Sequence, residues 1–120
     1  MALTYKGKAN RRSDGKAIDL VVPSTRTWEA GDPVYAQGWH GFAIAAGEAG
    51  DIVAAEIEQS VWEAELPSGV TGAKGDLIYI STDGANTLSG TAGAGVVAFA
   101  RVVLAKDANN VAWVRHLENR

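Results

Sequence analysis

Gly31-Asp32-Pro33-Val34-Tyr35, Gly50-Asp51-Ile52-Val53 and Gly75-Asp76-Leu77-Ile78-Tyr79 are three starts of the same kind. In each, a Gly-Asp pair launches an apolar, β-prone segment. Two share a longer lead-in, Glu29-Ala30-Gly31-Asp32 and Glu48-Ala49-Gly50-Asp51. Glycine supplies the positive φ of a tight turn, and aspartate bonds nearby backbone N–H groups as the next strand begins. Three strands begun by one device imply a meandering β domain.

Working outward, the alternation of Ile18, Leu20 and Val22 against Lys16 and Asp19 predicts a strand over 16–22, ended by Pro23. Residues 34–37, a turn at Gly38 and residues 39–46 predict a hairpin. From Ile52 to Leu66 the apolar parity changes: Val53, Ala55, Ile57 and Val61 occupy one set, and Trp62, Ala64 and Leu66 the other. One flat strand cannot bury both, so a bulge or kink is expected near 59–62. Leu77–Ser81 reads as a strand followed by an Asp83-Gly84 turn, and 90–95 as a small-residue loop. The terminal pair, 96–104 and 111–117, is expected with Val102 opposite Trp113. A one-residue slip would oppose Arg101 and Arg115. The expected fold is mainly β, a small single-domain barrel or sandwich over residues 16–120. Ile18, Leu20, Val53, Ile57, Leu77, Tyr79, Val102 and Trp113 are expected in its core.

The 120 residues are 47% hydrophobic and 21% charged, ordinary proportions for a folded domain. There is no cysteine, which removes disulfides, thiol nucleophiles and thiolate metal sites. No apolar run approaches bilayer-spanning length, so a soluble protein without a membrane partner is expected. Net charge is −3 but uneven. Residues 1–15 carry Lys6, Lys8, Arg11 and Arg12 against Asp14, giving +3, whereas residues 16–120 carry −6. The first 15 residues therefore read as an extended basic arm suited to an acidic surface. An acidic body without interleaved basic and aromatic residues argues against direct nucleic-acid binding.

No catalytic constellation is apparent. The only Gly-Lys pairs, Gly7-Lys8 and Gly15-Lys16, are followed by alanine and lack the upstream glycine of a P-loop. His40 and His116 lie on separate expected strands without ligand-spaced partners and read as structural or surface residues; no metal and no cofactor are expected. Four tryptophans are many for this length. Trp113 reads as core. Trp28 and Trp39 sit near turns, where core and interface remain alternatives. The terminal hairpin has apolar residues on both faces, with Val97 and Phe99 on one, so it is either central or meets another subunit.

The run Ala30-Gly31-Asp32-Pro33-Val34, a spacer, then Gly41-Phe42-Ala43-Ile44-Ala45 resembles the opening of the capsid decoration, or cement, proteins of tailed phages. Val61-Trp62-Glu63-Ala64-Glu65-Leu66-Pro67, Ala73-Lys74-Gly75-Asp76-Leu77-Ile78-Tyr79 and the closing Val114-Arg115-His116-Leu117 continue the resemblance over residues 16–118. Some members of that family carry the label of a RecA/RadA-family phage recombinase, which the missing P-loop opposes here. The arm is more basic than the family pattern, and the last apolar strand lacks a glycine near Phe99. The resemblance implies no enzymatic activity, the major capsid protein as partner, and a place on the outer capsid surface after synthesis in the host cytoplasm. It implies self-association, as a homotrimer or alternatively a dimer. The capsid-binding arm would then present Tyr5, Lys6, Lys8, Arg11 and Arg12. Trp28, Trp39, Val97 and Phe99 would serve the oligomer or capsid interface. The rival expectation is a carbohydrate- or receptor-binding β module of a virion, with exposed Trp28 and Trp39 flanking a groove.

Overall fold

The three Gly-Asp pairs build three copies of one turn. Gly31, Gly50 and Gly75 have φ of 88°, 87° and 94°. The aspartate N–H closes each turn onto the carbonyl three residues back: Asp32 onto Glu29 at 3.1 Å, Asp51 onto Glu48 at 2.9 Å, Asp76 onto Ala73 at 3.0 Å. A carboxylate oxygen of the same aspartate accepts the N–H of that earlier residue, at 2.9, 2.9 and 3.0 Å. Glycine and aspartate then grip one residue of a neighbouring strand between them. Gly31 N donates to Ala43 O and Ala43 N to Asp32 O; the same exchange joins Gly50-Asp51 to Val22, and Gly75-Asp76 to Val102. Two residues opposite one, with a left-handed glycine first, is a G1 bulge following a type II turn. All three gripped residues are buried. The device thus ends a turn, starts a strand and fixes its register against the core.

The computed structural model describes residues 16–119 and holds eleven strands there. These are β1 (Ala17–Val21), β2 (Thr27–Trp28), β3 (Pro33–Ala36), β4 (Trp39–Ala43), β5 (Gly47–Glu48), β6 (Ile52–Glu56), β7 (Val61–Glu65), β8 (Leu77–Ser81), β9 (Leu88–Ser89), β10 (Val96–Leu104) and β11 (Val111–His116). They form a four-stranded sheet β1-β6-β4-β3, a five-stranded sheet β7-β11-β10-β8-β9 and a ribbon β2-β5. Every pairing is antiparallel. The mainly β fold expected from the sequence is present, with a sheet curled into a half barrel. Gln37 spans the mouth of the four-stranded sheet, its Oε1 accepting the Val21 N–H at 3.0 Å. Gln37 and Gly38 both take positive φ in the two-residue β3–β4 hairpin.

The long run from Ile52 divides where its parity changes, but by changing sheets. β6 lies in the first sheet and β7 in the second, and residues 57–60 cross between them. Val53 and Ala55 are buried in one core and Ala64 and Leu66 in the other. Ile57 is only half-buried, and Val61, expected to share the inward parity of Val53, is exposed.

Besides Ile57, three core expectations are corrected, at Leu77, Tyr79 and Trp113. Ile78 and Ile80 point inward while Leu77 and Tyr79 are half-buried, because the Gly75-Asp76 bulge sets the parity of β8. Trp113 is 46% exposed. The β10–β11 register is the slipped one: Arg101 faces Arg115 and Val102 faces Val114. The like-charge pair is tolerated because the two guanidinium groups have separate acceptors. Arg101 Nη1 donates to Gly75 O at 2.8 Å and Arg115 Nε to Gln59 O at 3.2 Å. A bulge between Val102 and Leu104 then brings Leu104 opposite Trp113 on the outer face.

Candidate functional site

β4 lies between the two cores. Its alternate side chains serve both: Ala43 packs with Leu20, Trp28, Val34 and Val53, while Phe42 packs into the core of the five-stranded sheet. Gly41 is required by close approach, since a Cβ there would collide with the Glu56 carbonyl oxygen. Phe42 stacks on Trp62 (ring centroids 4.4 Å apart, planes at 10°) and meets Phe99 at 5.1 Å. His40 and His116 complete this aromatic seam, and both are buried.

His40 Nδ1 and His116 Nε2 are 2.7 Å apart, and His116 Nδ1 lies 3.0 Å from the Glu58 carbonyl oxygen. A carbonyl only accepts, so His116 carries its proton on Nδ1. Its bare Nε2 then accepts from His40 Nδ1–H. This chain of bonds is satisfied with both rings neutral. Burial, and for His40 the neighbouring His116, depresses both: His40 falls from 6.5 to about 4, and His116 is also lowered by burial. Asn119 closes the seam by taking the role of a strand residue. Its Oδ1 accepts the His40 N–H and its Nδ2 donates to the His40 carbonyl, each at 2.8 Å. Sequence reading gave the histidines as structural or surface residues and did not join them, since 76 residues separate them.

This pair is a joint between the two cores. His116 Nδ1 is held by a carbonyl rather than a carboxylate, and among the described residues no hydroxyl bonds either imidazole. No group of three or more His, Asp or Glu positioned for a metal occurs among the described residues.

The expected interface residues do not form one surface. Trp28 is fully buried, correcting its expected partial exposure: pairing of β2 with β5 folds it over the first core. Its Nε1 has no partner there. Phe99 is also fully buried, because the bulge between Ala98 and Ala100 turns it into the second core. Neither can meet another subunit without unfolding. Trp39 is 40% exposed at the β3–β4 turn. Val97 is half-buried, in a cleft of about 550 Å³ with Tyr35, His40, Arg101 and Glu118 that Trp39 does not line. Tyr5, Lys6, Lys8, Arg11 and Arg12 lie outside the described residues. Of the two exposed tryptophans that the rival carbohydrate- or receptor-binding expectation needs, only Trp39 is exposed, and Trp28 is not.

Two apolar patches take the place of the expected surface. On the four-stranded sheet, exposed Val21 and Ile52 are direct cross-strand partners, and exposed Ile44 follows β4 on the far side of β6. On the five-stranded sheet, Leu104 opposes Trp113, whose Nε1 donates to Glu63 Oε1 at 3.1 Å, with exposed Val61 alongside. Strict parity counting from each Gly-Asp turn would have found Ile52.

A small all-β protein with a closed aromatic joint, exposed apolar patches and an acidic body has the form of a structural binding protein. The sequence profile of the phage cement proteins matches residues 12–116, and this chain belongs to that family. Membership places it among structural, capsid-associated proteins of the virion. No curated protein and no solved structure matches the chain.

Proposed function

We propose that this chain decorates the outer surface of a phage head, binding the major capsid protein lattice and stabilising the shell without enzymatic activity. The observation that carries this reading is family membership over nearly the whole described chain. Two separate apolar patches fit two partners, a capsid subunit and a further copy of this chain. A closed homotrimer buries a repeated patch, with a dimer as the simpler closed form. The basic arm, through Tyr5, Lys6, Lys8, Arg11 and Arg12, meets an acidic capsid surface. Many weak contacts repeated over a lattice act together, so single-site affinity need not be high.

The test is co-sedimentation of the purified protein with expanded heads that lack it, followed by a thermal DNA-release assay. Decorated heads should hold DNA to a higher temperature than bare ones. Failure to co-sediment, or equal release temperatures, defeats the reading.

A further inference from the structure

The outer faces of the two large sheets differ in charge. On the four-stranded sheet, the charged residues of β1 and β6 are Asp19 and Glu56, both acidic. Two copies meeting there would set carboxylates against carboxylates around Val21 and Ile52, which is unfavourable. The five-stranded sheet carries both signs, kept apart. Glu63 and Glu65 share the outer face of β7, two residues apart. Arg115 of β11 and Arg101 of β10 are cross-strand partners on that same face. All four are exposed. Both guanidinium groups bond carbonyls, Arg101 at Gly75 and Arg115 at Gln59, and among the described residues no carboxylate bonds either of them. Glu63 gives one oxygen to the Trp113 indole N–H and keeps the other.

These charges surround an apolar ridge in a pattern that fits itself. Val61 pairs with Arg115 and Glu63 with Trp113, so the four stand at the corners of one rectangle of the β7–β11 ladder. Its sides are about 4.8 Å across the strands and about 6.8 Å along them. Exposed Val61 and Trp113 mark one diagonal, Arg115 and Glu63 the other. A half-turn about the Val61–Trp113 diagonal, lying in the plane of the face, stacks a second copy on the first. It brings Trp113 onto Trp113. It lays Arg115 over Glu63, and Glu63 over Arg115, with about 3 Å of slip along the axis. Arg101 and Glu65, one step further out on either side, meet with about twice that slip, within reach of an arginine side chain. Leu104, opposite Trp113 on β10, falls over Val111. Each of these contacts is apolar on apolar or cation on anion.

We propose that the outer face of the five-stranded sheet binds a second copy of this chain about that two-fold axis, with Trp113 at the centre and Arg115–Glu63 and Arg101–Glu65 pairs around it. An isologous interface requires a surface complementary to itself, and this face is one. A central tryptophan with arginines beside it is also where binding energy concentrates. Burial of Trp113, Leu104 and Val61 supplies affinity, while the charge pairs set the orientation and exclude other pairings. The proposal rests on the self-association proposed above and selects its two-fold form. It leaves the four-stranded face, acidic beside its apolar patch, for a partner other than this chain.

Sedimentation velocity of the full chain tests it. The native chain should reach twice the monomer mass by about 100 μM, which corresponds to a Kd below that concentration. Arg101→Glu/Arg115→Glu makes the face all acidic, and Glu63→Arg/Glu65→Arg makes it all basic. Each variant alone should dimerise at least about tenfold more weakly than the native chain. An equimolar mixture of the two should restore dimers holding one chain of each kind, which also shows that both variants fold. A native chain still monomeric at about 100 μM, or one that forms trimers, overturns the proposal. So do dimers that survive either charge reversal, or a mixture that fails to restore them. Co-sedimentation with heads is read separately. A monomer that decorates heads sinks this proposal and keeps the capsid reading, and a dimer that does not decorate them does the reverse.

Discussion

The three Gly-Asp turns and the histidine seam organise the same small protein in opposite ways. Each turn is assembled from four consecutive residues and grips one residue of a neighbouring strand. The seam gathers His40, Phe42, Trp62, Phe99, His116 and Asn119 from several parts of the chain. The turns set where strands begin and which side faces in; the seam holds the two sheets together. A fault in a turn should therefore be local and modest. A fault in the seam should reach both cores.

The largest effect is expected at Phe42, which is fully buried and contacts Trp62, Phe99 and His116. Phe42→Ala should cost about 3–5 kcal/mol, combining lost burial with the cavity left behind. Denaturant unfolding measures it. A loss below about 1.5 kcal/mol would show that the seam does not couple the sheets, since that is less than burial of one aromatic ring contributes.

Acid should open the same joint. The folded-state pKa of His40, about 4, lies below its unfolded value of 6.5. Between these values the unfolded chain binds more protons, so stability is full above pH 6.5 and falls as pH drops toward 4. His40 contributes a loss on the order of 3 kcal/mol across that window, with His116 adding in the same direction. Comparing unfolding of the native chain and His40→Gln at pH 7 and pH 5 separates this from carboxylate titration. The native chain should lose more; parallel losses would remove the histidine pair as the cause.

The contrast also explains what could be read from the sequence. The turns were legible because cause and effect lie within four residues: a glycine at positive φ and an aspartate beside it. The change of sheet was legible as a break in parity near residue 59, although parity alone could not distinguish a bulge from a crossing. The β10–β11 register was not legible. Repulsion between Arg101 and Arg115 was a sound objection, but it assumed that the side chains would face each other. Acceptors at Gly75 and Gln59, both distant in sequence, draw them apart. Trp113 was misplaced with the register, and Phe99 through a second bulge. Trp28 was misplaced because a two-residue ribbon gives almost no sequence signal. Nothing in the sequence joined His40 to His116, since their bond exists only after both sheets have formed.

The smallest effect sharpens the local side of the comparison. Each turn aspartate does two jobs, one through its backbone and one through its carboxylate. Replacing the side chain removes only the second. Asp32→Ala, Asp51→Ala and Asp76→Ala should each cost about 1 kcal/mol, the net worth of one backbone-to-side-chain hydrogen bond. Asparagine keeps an acceptor oxygen in the same place, so the corresponding Asn variants should recover most of that loss. The three turns share no bonding partner, and their costs should add when combined. Gly50→Ala provides the complementary cut: a Cβ meets nothing within 4 Å, so its cost, about 1–2 kcal/mol, comes from backbone conformation alone. Thermal or denaturant unfolding of the triple Asp→Ala chain decides the matter. A loss of about 3 kcal/mol, the sum of three such bonds, means the repeats act as independent local devices. A loss much larger than that sum would mean that the turns are coupled through the cores they face, and the division between local turns and a global seam would fail.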